Sequence, residues 1–316
     1  MKNYYYDYVL ALAEERNFTK AAKKLCISQP SLSQCITKVE KELDVSLFNR
    51  STNPIEITEA GRIFIDTAYK IRTLQYDLEN KTSDIADFKN SSLTVGMTPY
   101  RCSTILPGIL KAFTTSMPKV KFHLITGTMQ ELSNYAQEVS IDIFVSTESY
   151  LNKNIFNYKV IAREIILLTV SKSNPINNKL KSYQLSYDDI VNANFDSKKM
   201  PIELLSYFKD EPFLLVNTSQ HLYKKSVELC RLSKFEPNPF LITANIHTIF
   251  NLTLSGLGVS FTPHSFVKYG NLANHPIYYY LDNVNSSRNL IAAYKKNHYL
   301  SKPARKFINI MKAVLN

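Results

Sequence analysis

The sequence is poor in the features by which many enzymes are known. Only seven glycines occur in 316 residues, and none is set in GxGxxG or GxxxxGK[ST], so the usual phosphate-cradling loops are excluded. GxSxG and HExxH are missing too. The six histidines stand singly, without a second His or Cys at helical ligand spacing, so no metal and no cofactor is expected. Cys26, Cys35, Cys102 and Cys230 form no CxxC pair and lack disulfide-scaffold density, which fits a reducing compartment. No run of about 18 apolar residues could cross a bilayer. Met1 leads into a polar, Tyr-rich stretch rather than a basic and then apolar leader, so a cytoplasmic, membrane-free protein is expected.

What is present begins with charge. The net +11 invites a nucleic-acid partner, but residues 1–90 hold 13 basic and 13 acidic side chains, leaving 25 and 14 to residues 91–316. Any case for DNA binding near the start must therefore rest on local pattern.

That pattern is helical. Tyr5, Tyr8, Val9, Leu12 and Ala13 form one apolar stripe. Arg16-Asn17 interrupts it, Asn17 being tolerant of left-handed backbone, and Thr19 is the expected N-cap of a second helix through Leu25. After Cys26-Ile27, Ser28 caps a third helix, Gln29 to about Leu43, with Pro30 in its first turn. Leu32, Ile36, Val39 and Leu43 turn inward, while Ser31, Ser33, Gln34, Thr37, Lys38 and Lys41 point elsewhere. Two helices around a three-residue turn, with hydroxyls and amides at the second one's start, match a helix-turn-helix; a generic bundle with a polar face is the alternative. Segments 45–50 and 55–57 read as a hairpin with Arg50 at its base, and Thr58 caps a long helix. Phe64, Thr67, Ile71, Leu74, Leu78, Lys81, Ile85 and Phe88 repeat along that helix at heptad-like spacing. About 30 residues give a rod of roughly 45 Å, which needs a partner, most simply a second copy.

The stretch Ala13–Ser33 resembles the signature of LysR-type transcriptional regulators. So do Ile36, Val39-Glu40, Glu42-Leu43, Leu47-Phe48-Asn49-Arg50 and Ile57-Thr58-Glu59-Ala60-Gly61. The resemblance runs without a gap over some sixty residues. It implies an α+β multi-domain chain: a winged helix-turn-helix (1–58), a dimerising linker helix (59–90) and a periplasmic-binding-protein-like α/β effector domain (91–316). That domain would comprise subdomain I, about 91–161 and 265–316, and subdomain II, about 162–264. The sequence departs from the family pattern where Gln34 and Thr37 replace common basic residues, where the wing 51–54 lacks basic residues, and where Asp44 replaces Gly.

Beyond residue 91, strands are expected at 93–97, 120–126, 141–146, 164–170, 213–216, 240–243 and 290–294. Helices are expected from after Ser103 to Ser116, and at 130–138, 221–234, 245–254 and 302–315. The opening βαβαβ order implies a parallel sheet that binds ligands at its strand ends. Residues 255–263 are expected to turn into a further strand, and Gly256-Leu257-Gly258 and Pro263 match a late turn of the family's effector domain. Thr98, Tyr100, Arg101, Ser103, Thr128, Ser146, Thr147, Thr218, Asn245 and His247 are candidates for lining an interdomain cleft, with Thr98 and Ser103 matching family positions best. The basic surplus there has two readings, a solvated surface or an anionic effector met by Arg101.

The expected function is sequence-specific promoter binding modulated by a small-molecule effector. Thr19, Ser28, Gln29, Ser31, Ser33 and Gln34 would face double-stranded DNA, with Lys38 and Arg50 on phosphates. A homodimer or homotetramer is expected, with RNA polymerase a further candidate partner. A solute-binding protein would leave the first sixty residues without a purpose, and an enzyme would need a catalytic set that no motif supplies.

Overall fold

The computed structural model describes residues 4–86, 91–137, 141–193 and 195–316. Phe88 and Glu138, each part of an expected helix, lie outside them. The chain divides into two compact units, Met1–Thr82 and Ser83–Asn316.

The first unit opens with α1 (Tyr4–Glu15), α2 (Phe18–Lys24) and α3 (Gln29–Leu43), followed by the two-residue strands β1 (Phe48–Asn49) and β2 (Glu56–Ile57). Its core gathers Tyr5, Val9, Leu12, Ala21, Ala22, Leu32, Ile36, Val39, Leu47 and Phe48. The break before α2 differs from expectation. Arg16 takes the left-handed turn (φ 47°), while Asn17 is extended and its side chain accepts from the Lys20 amide at 3.0 Å. Asn17 is therefore the cap, and Thr19 lies inside the helix, exposed. Leu43 also departs from the inward stripe, being 37% exposed, because α3 ends there on left-handed Asp44 (φ 54°).

Helix α4 (Glu59–Ile85) has 27 residues, a rod of about 40 Å. Thr58 caps it, accepting from the Gly61 amide at 3.0 Å. A Cβ on Gly61 would come within 2.2 Å of the Leu47 carbonyl oxygen, so only glycine lets the helix start this close to the hairpin. Phe64 belongs to the core at 7% exposed, whereas Leu74 (68%), Leu78 (63%) and Ile85 (85%) face outward.

The second unit continues with β3 (Ser92–Met97), α5 (Pro99–Thr104), α6 (Leu106–Ser116), β4 (Lys121–Thr126), α7 (Met129–Gln137), β5 (Ile143–Thr147) and β6 (Phe156–Val170). Then come α8 (Tyr187–Val191), β7 (Lys199–Pro201), β8 (Pro212–Val216), α9 (His221–Leu232), β9 (Asn238–Thr243), α10 (Ile246–Leu254) and β10 (Val259–Pro263). The chain closes with α11 (His264–Tyr269), β11 (Ile277–Asp282), β12 (Ser287–Lys295) and α12 (Lys302–Leu315). Helix begins earlier than the expected start after Ser103: residues 99–104 already form α5, with Pro99 in its first turn. β7, β11 and the first half of β6 have no counterpart among the expected strands.

The main sheet runs β4-β3-β5-β12-β6-β10-β8-β9. β3 pairs in parallel with β4 and β5, and β8 with β9 and β10. The fifteen-residue β6 joins the halves: residues 156–165 pair with β12, and 166–169 with β10, with β11 also pairing along 167–170. Two lobes result. Leu93, Val95, Ile109, Phe113, Ala162 and Phe307 share one core; Ile166, Leu168, Phe213, Phe250, Phe266 and Tyr279 share the other. The expected return to the first lobe at residue 265 comes later, since Phe266, Val267 and Tyr278–Leu281 all sit in the second core.

Candidate functional site

Two groups of polar side chains stand out, one in each unit. In the first, α3 follows its turn with Ser28 capping: the Ser28 hydroxyl accepts from the Ser31 amide at 3.3 Å and lies 2.7 Å from the Ser31 hydroxyl. Gln29, Ser31, Gln34, Thr37 and Lys38 are exposed along the helix, and Ser33 is half-buried. The exposed face thus carries amides and hydroxyls that donate and accept, which base edges require, and one ammonium for a phosphate. Lys38 sits 6.0 Å from the Tyr5 ring centre, and hydrogen bonding to Tyr5 raises its pKa.

Arg50 is more constrained than its place beside the hairpin suggests. Its guanidinium reaches Glu40 at 2.6 Å and Thr37 at 3.0 Å, and its centre lies 5.4 Å from that of the Phe18 ring. The other oxygen of Glu40 accepts from the amides of Leu47 and Phe48 at 2.8 and 3.2 Å. Glu40 therefore fixes the hairpin to α3, and Arg50 remains 38% exposed on the same side.

In the second unit the expected cleft residues differ in what they contact. Asn245 and Thr128 are helix caps. Asn245 accepts from the amides of His247 and Thr248 at 2.9 and 3.3 Å, and Thr128 accepts from the Glu131 amide at 3.3 Å while its own amide and hydroxyl donate back to that carboxylate. The hydrogen bond from the Thr128 amide is the main reason the Glu131 pKa is lowered. Ser146 and Thr147 are buried at the end of β5, and Thr218 is exposed after β8. Ser103 and His247 meet across the lobes, hydroxyl to Nε2 at 3.4 Å.

Thr98, Tyr100 and Arg101 enter a buried charge cluster at the hinge. Arg101 turns inward, its Nη1 donating to the Thr98 hydroxyl at 3.4 Å and its Nη2 lying 3.6 Å from Glu164. Glu164 sits on β6 where the lobes join, and Arg288 is its register partner on β12. The Arg288 Nε donates to Glu164 at 2.6 Å, and the Ser265 hydroxyl to the other carboxylate oxygen at 2.6 Å. Burial alone would raise the Glu164 pKa, but Arg288 and Arg101 outweigh it and hold the carboxyl at about 2. His221, at the start of α9, lies 3.3 Å from Arg288; burial first, then Arg288 and Lys225, push it down to about 3. Sequence reasoning missed Glu164, Arg288, His221, His264 and Ser265. Their one signal in the sequence was the carboxylate of Glu164 at the head of the apolar run Ile165-Ile166-Leu167-Leu168. Among the described residues no group of three or more His, Cys, Asp or Glu could hold a metal ion, and no helix is long and apolar enough to cross a membrane.

Comparison with known proteins is consistent across both units. Residues 6–62 match the family described as bacterial regulatory helix-turn-helix protein, lysR family. Residues 87–195 and 197–316 match the LysR substrate binding domain. An uncharacterized HTH-type transcriptional regulator of Bacillus subtilis, YcgK, is 27% identical over 98% of this chain and 93% of its own. The HTH-type transcriptional regulator BudR of Raoultella terrigena is 28% identical over 86% of this chain and 89% of its own. Among solved structures, a full-length OxyR variant from Pseudomonas aeruginosa superposes with TM-score 0.69 at 19% identity, covering 99% of this chain and 94% of that one. Full-length CbnR complexed with its target DNA gives TM-score 0.61 at 20% identity, covering 99% and 100%.

Proposed function

The chain belongs to the LysR family of bacterial regulatory helix-turn-helix proteins, and from that premise we propose how this DNA-binding transcriptional regulator reads a promoter and answers to a metabolite. α3 lies in the major groove. Gln29, Ser31, Ser33 and Gln34 meet base edges, Thr19 and Ser28 sit close to the backbone, and Lys38 and Arg50 take phosphates. The observation that carries this is the exposed row of amides and hydroxyls on a helix whose opposite face, Leu32, Ile36 and Val39, is wholly buried.

One such module binds DNA at the non-specific level, about 10⁻⁴–10⁻⁶ M, whereas regulation needs about 10⁻⁸–10⁻¹¹ M. A second copy supplies the difference, joined through the outward face of α4, where Leu74 and Leu78 are left to water in a single chain. Pairing of effector domains into a tetramer would couple ligand state to the spacing of two such dimers. The effector occupies the region between the lobes of residues 91–316 and is anionic, in keeping with the basic surplus of that part. RNA polymerase is the partner that a promoter-bound regulator meets, and the cytoplasm is where its DNA is found.

The deciding experiment is a gel shift on the DNA upstream of the protein's own gene. A specific complex is expected that weakens about 10- to 100-fold when Gln34 is changed to Ala, the cost of one good base contact. Equal affinity for that DNA and for unrelated fragments would refute the reading.

A further inference from the structure

We propose that α12 is a strut within the effector-binding unit, gripping the last turn of α4 at one end through Asp84 and meeting the hinge elements β6 and α11 at the other. The proposal rests on reading the chain as a regulator whose DNA contacts answer to a ligand, and it assigns the element that links the two.

The near end is built around one carboxylate. Ser83–Ile85, the last turn of α4, belong to the second unit. There Ile85 is 85% exposed, while its neighbour Asp84 is buried at 5%. Asp84 Oδ2 accepts from the Lys302 amide at 2.8 Å and from the Tyr299 hydroxyl at 3.0 Å. The Lys302 ammonium donates to the Asp84 carbonyl at 2.9 Å, and Arg305 stands 3.8 Å from the carboxylate. Lys302 opens α12, whose own cap, Ser301, accepts from the Ala304 amide at 3.3 Å. Ser301 thus serves the third amide of the helix and Asp84 the first, where the helix dipole favours a negative charge. Ser83 adds a second tie, its hydroxyl 2.6 Å from that of buried Ser91, just ahead of β3.

The far end meets the hinge. The Tyr269 hydroxyl donates to the Val314 carbonyl at 3.1 Å, and the Asn316 side chain to the Ile161 carbonyl at 2.8 Å. Ile161 stands three residues before Glu164 on β6. Tyr269 closes α11, whose Phe266 and Val267 sit in the second core. Between these ends α12 buries Ala304, Phe307, Ile308 and Met311 in the first core. Its fourteen residues span about 20 Å.

A close-packed helix passes on a displacement rather than absorbing it. Movement of α11 or β6 therefore shifts the Lys302 amide on which Asp84 depends. Coupling is reciprocal, so a change at Asp84 is felt at the hinge end as well.

Hydrogen exchange of the full-length protein, followed by mass spectrometry, tests the strut first without DNA. Asp84→Ala should speed exchange at 302–305, as loss of any cap would. It should also speed exchange at 264–269 and 312–316 by at least about twofold, the low end of coupling between distant sites. Asp84→Asn, which keeps an acceptor for the Lys302 amide, should give a smaller change in the same places, and decides the matter if the alanine variant fails to fold. Tyr269→Phe should be felt in return at 83–86. Changes confined to 302–305 in the Asp84 variants would mean a local cap only and overturn the strut. A second arm adds the DNA upstream of the protein's own gene. Binding should alter exchange at 264–269 in wild type and lose that effect in Asp84→Ala. Specific binding with no change at 264–269, or with the same change in the variant, overturns the strut and keeps the DNA reading. Equal affinity for unrelated DNA refutes the DNA reading, and the arm without DNA then decides the strut alone.

Discussion

Glu40 accepts three hydrogen bonds from the hairpin it holds, two from amides and one from Arg50. Glu40→Ala removes them together and strands two amides, so the first unit should lose about 2–3 kcal/mol, read as a lower denaturation midpoint. A change below about 0.5 kcal/mol would mean that water replaces the carboxylate without cost. The hinge histidines give a pH dependence. His221, depressed to about 3, stays neutral in the folded protein while the unfolded chain titrates near 6.5, and His264, also lowered chiefly by burial, shifts in the same direction. Between those values the unfolded state holds more protons, so stability falls as pH falls from about 6.5. Glu164 adds to the loss only further down, between its ordinary 4.5 and about 2. Melting temperature should therefore drop between pH 7 and 5, by less than one full proton per histidine because His221 is partly exposed. His221→Asn should flatten that slope, and an unchanged slope would rule His221 out as its source.

At the scale of elements, α4 is held by close approach at one end and left bare along much of its length. Gly61→Ala would place a methyl 2.2 Å from the Leu47 carbonyl oxygen, and should cost at least about 2 kcal/mol through forced separation of helix and hairpin. Leu74→Glu with Leu78→Glu should leave the fold intact and shift the full chain toward monomer in sedimentation, since both side chains face outward. Persistence of the assembly would move the interface elsewhere. Much of this was legible beforehand. The three helices, the hairpin and the long helix follow from apolar spacing and caps, and α12 falls on the expected span. The cap at Asn17 was misassigned because Asn serves equally as a cap or a left-handed stop, and only the backbone angle at Arg16 separates the two. β11 escaped because Tyr278–Leu281 is apolar on both faces and shows no alternation. The charge cluster was illegible for a different reason. Arg101, Glu164 and Arg288 stand more than sixty residues apart, and only the register of β6 with β12 brings the last two together.

For the whole molecule, the imbalance between its parts sets how DNA binding should respond to salt. The positive surplus lies entirely beyond residue 90, and the reading face offers Lys38 and an Arg50 already paired with Glu40 at 2.6 Å. With the wing short of basic residues as well, each copy has about two side chains for phosphates, and a dimer about four. Each neutralised phosphate contributes about 0.9 to the slope of log affinity against log salt. The expected slope is thus near −3 to −4, shallow for a regulator of this kind. If Arg50 stays on Glu40 when DNA binds, the slope should flatten to about −2, and Arg50→Gln should then leave it unaltered while Lys38→Gln, present in both copies, removes most of what remains. Fluorescence anisotropy on one operator fragment across a salt series would decide among these outcomes. A slope approaching −10 would refute the account, because so many released counterions demand cations that residues 1–90 do not have to spare, and the surplus of residues 91–316 would then have to meet the duplex directly.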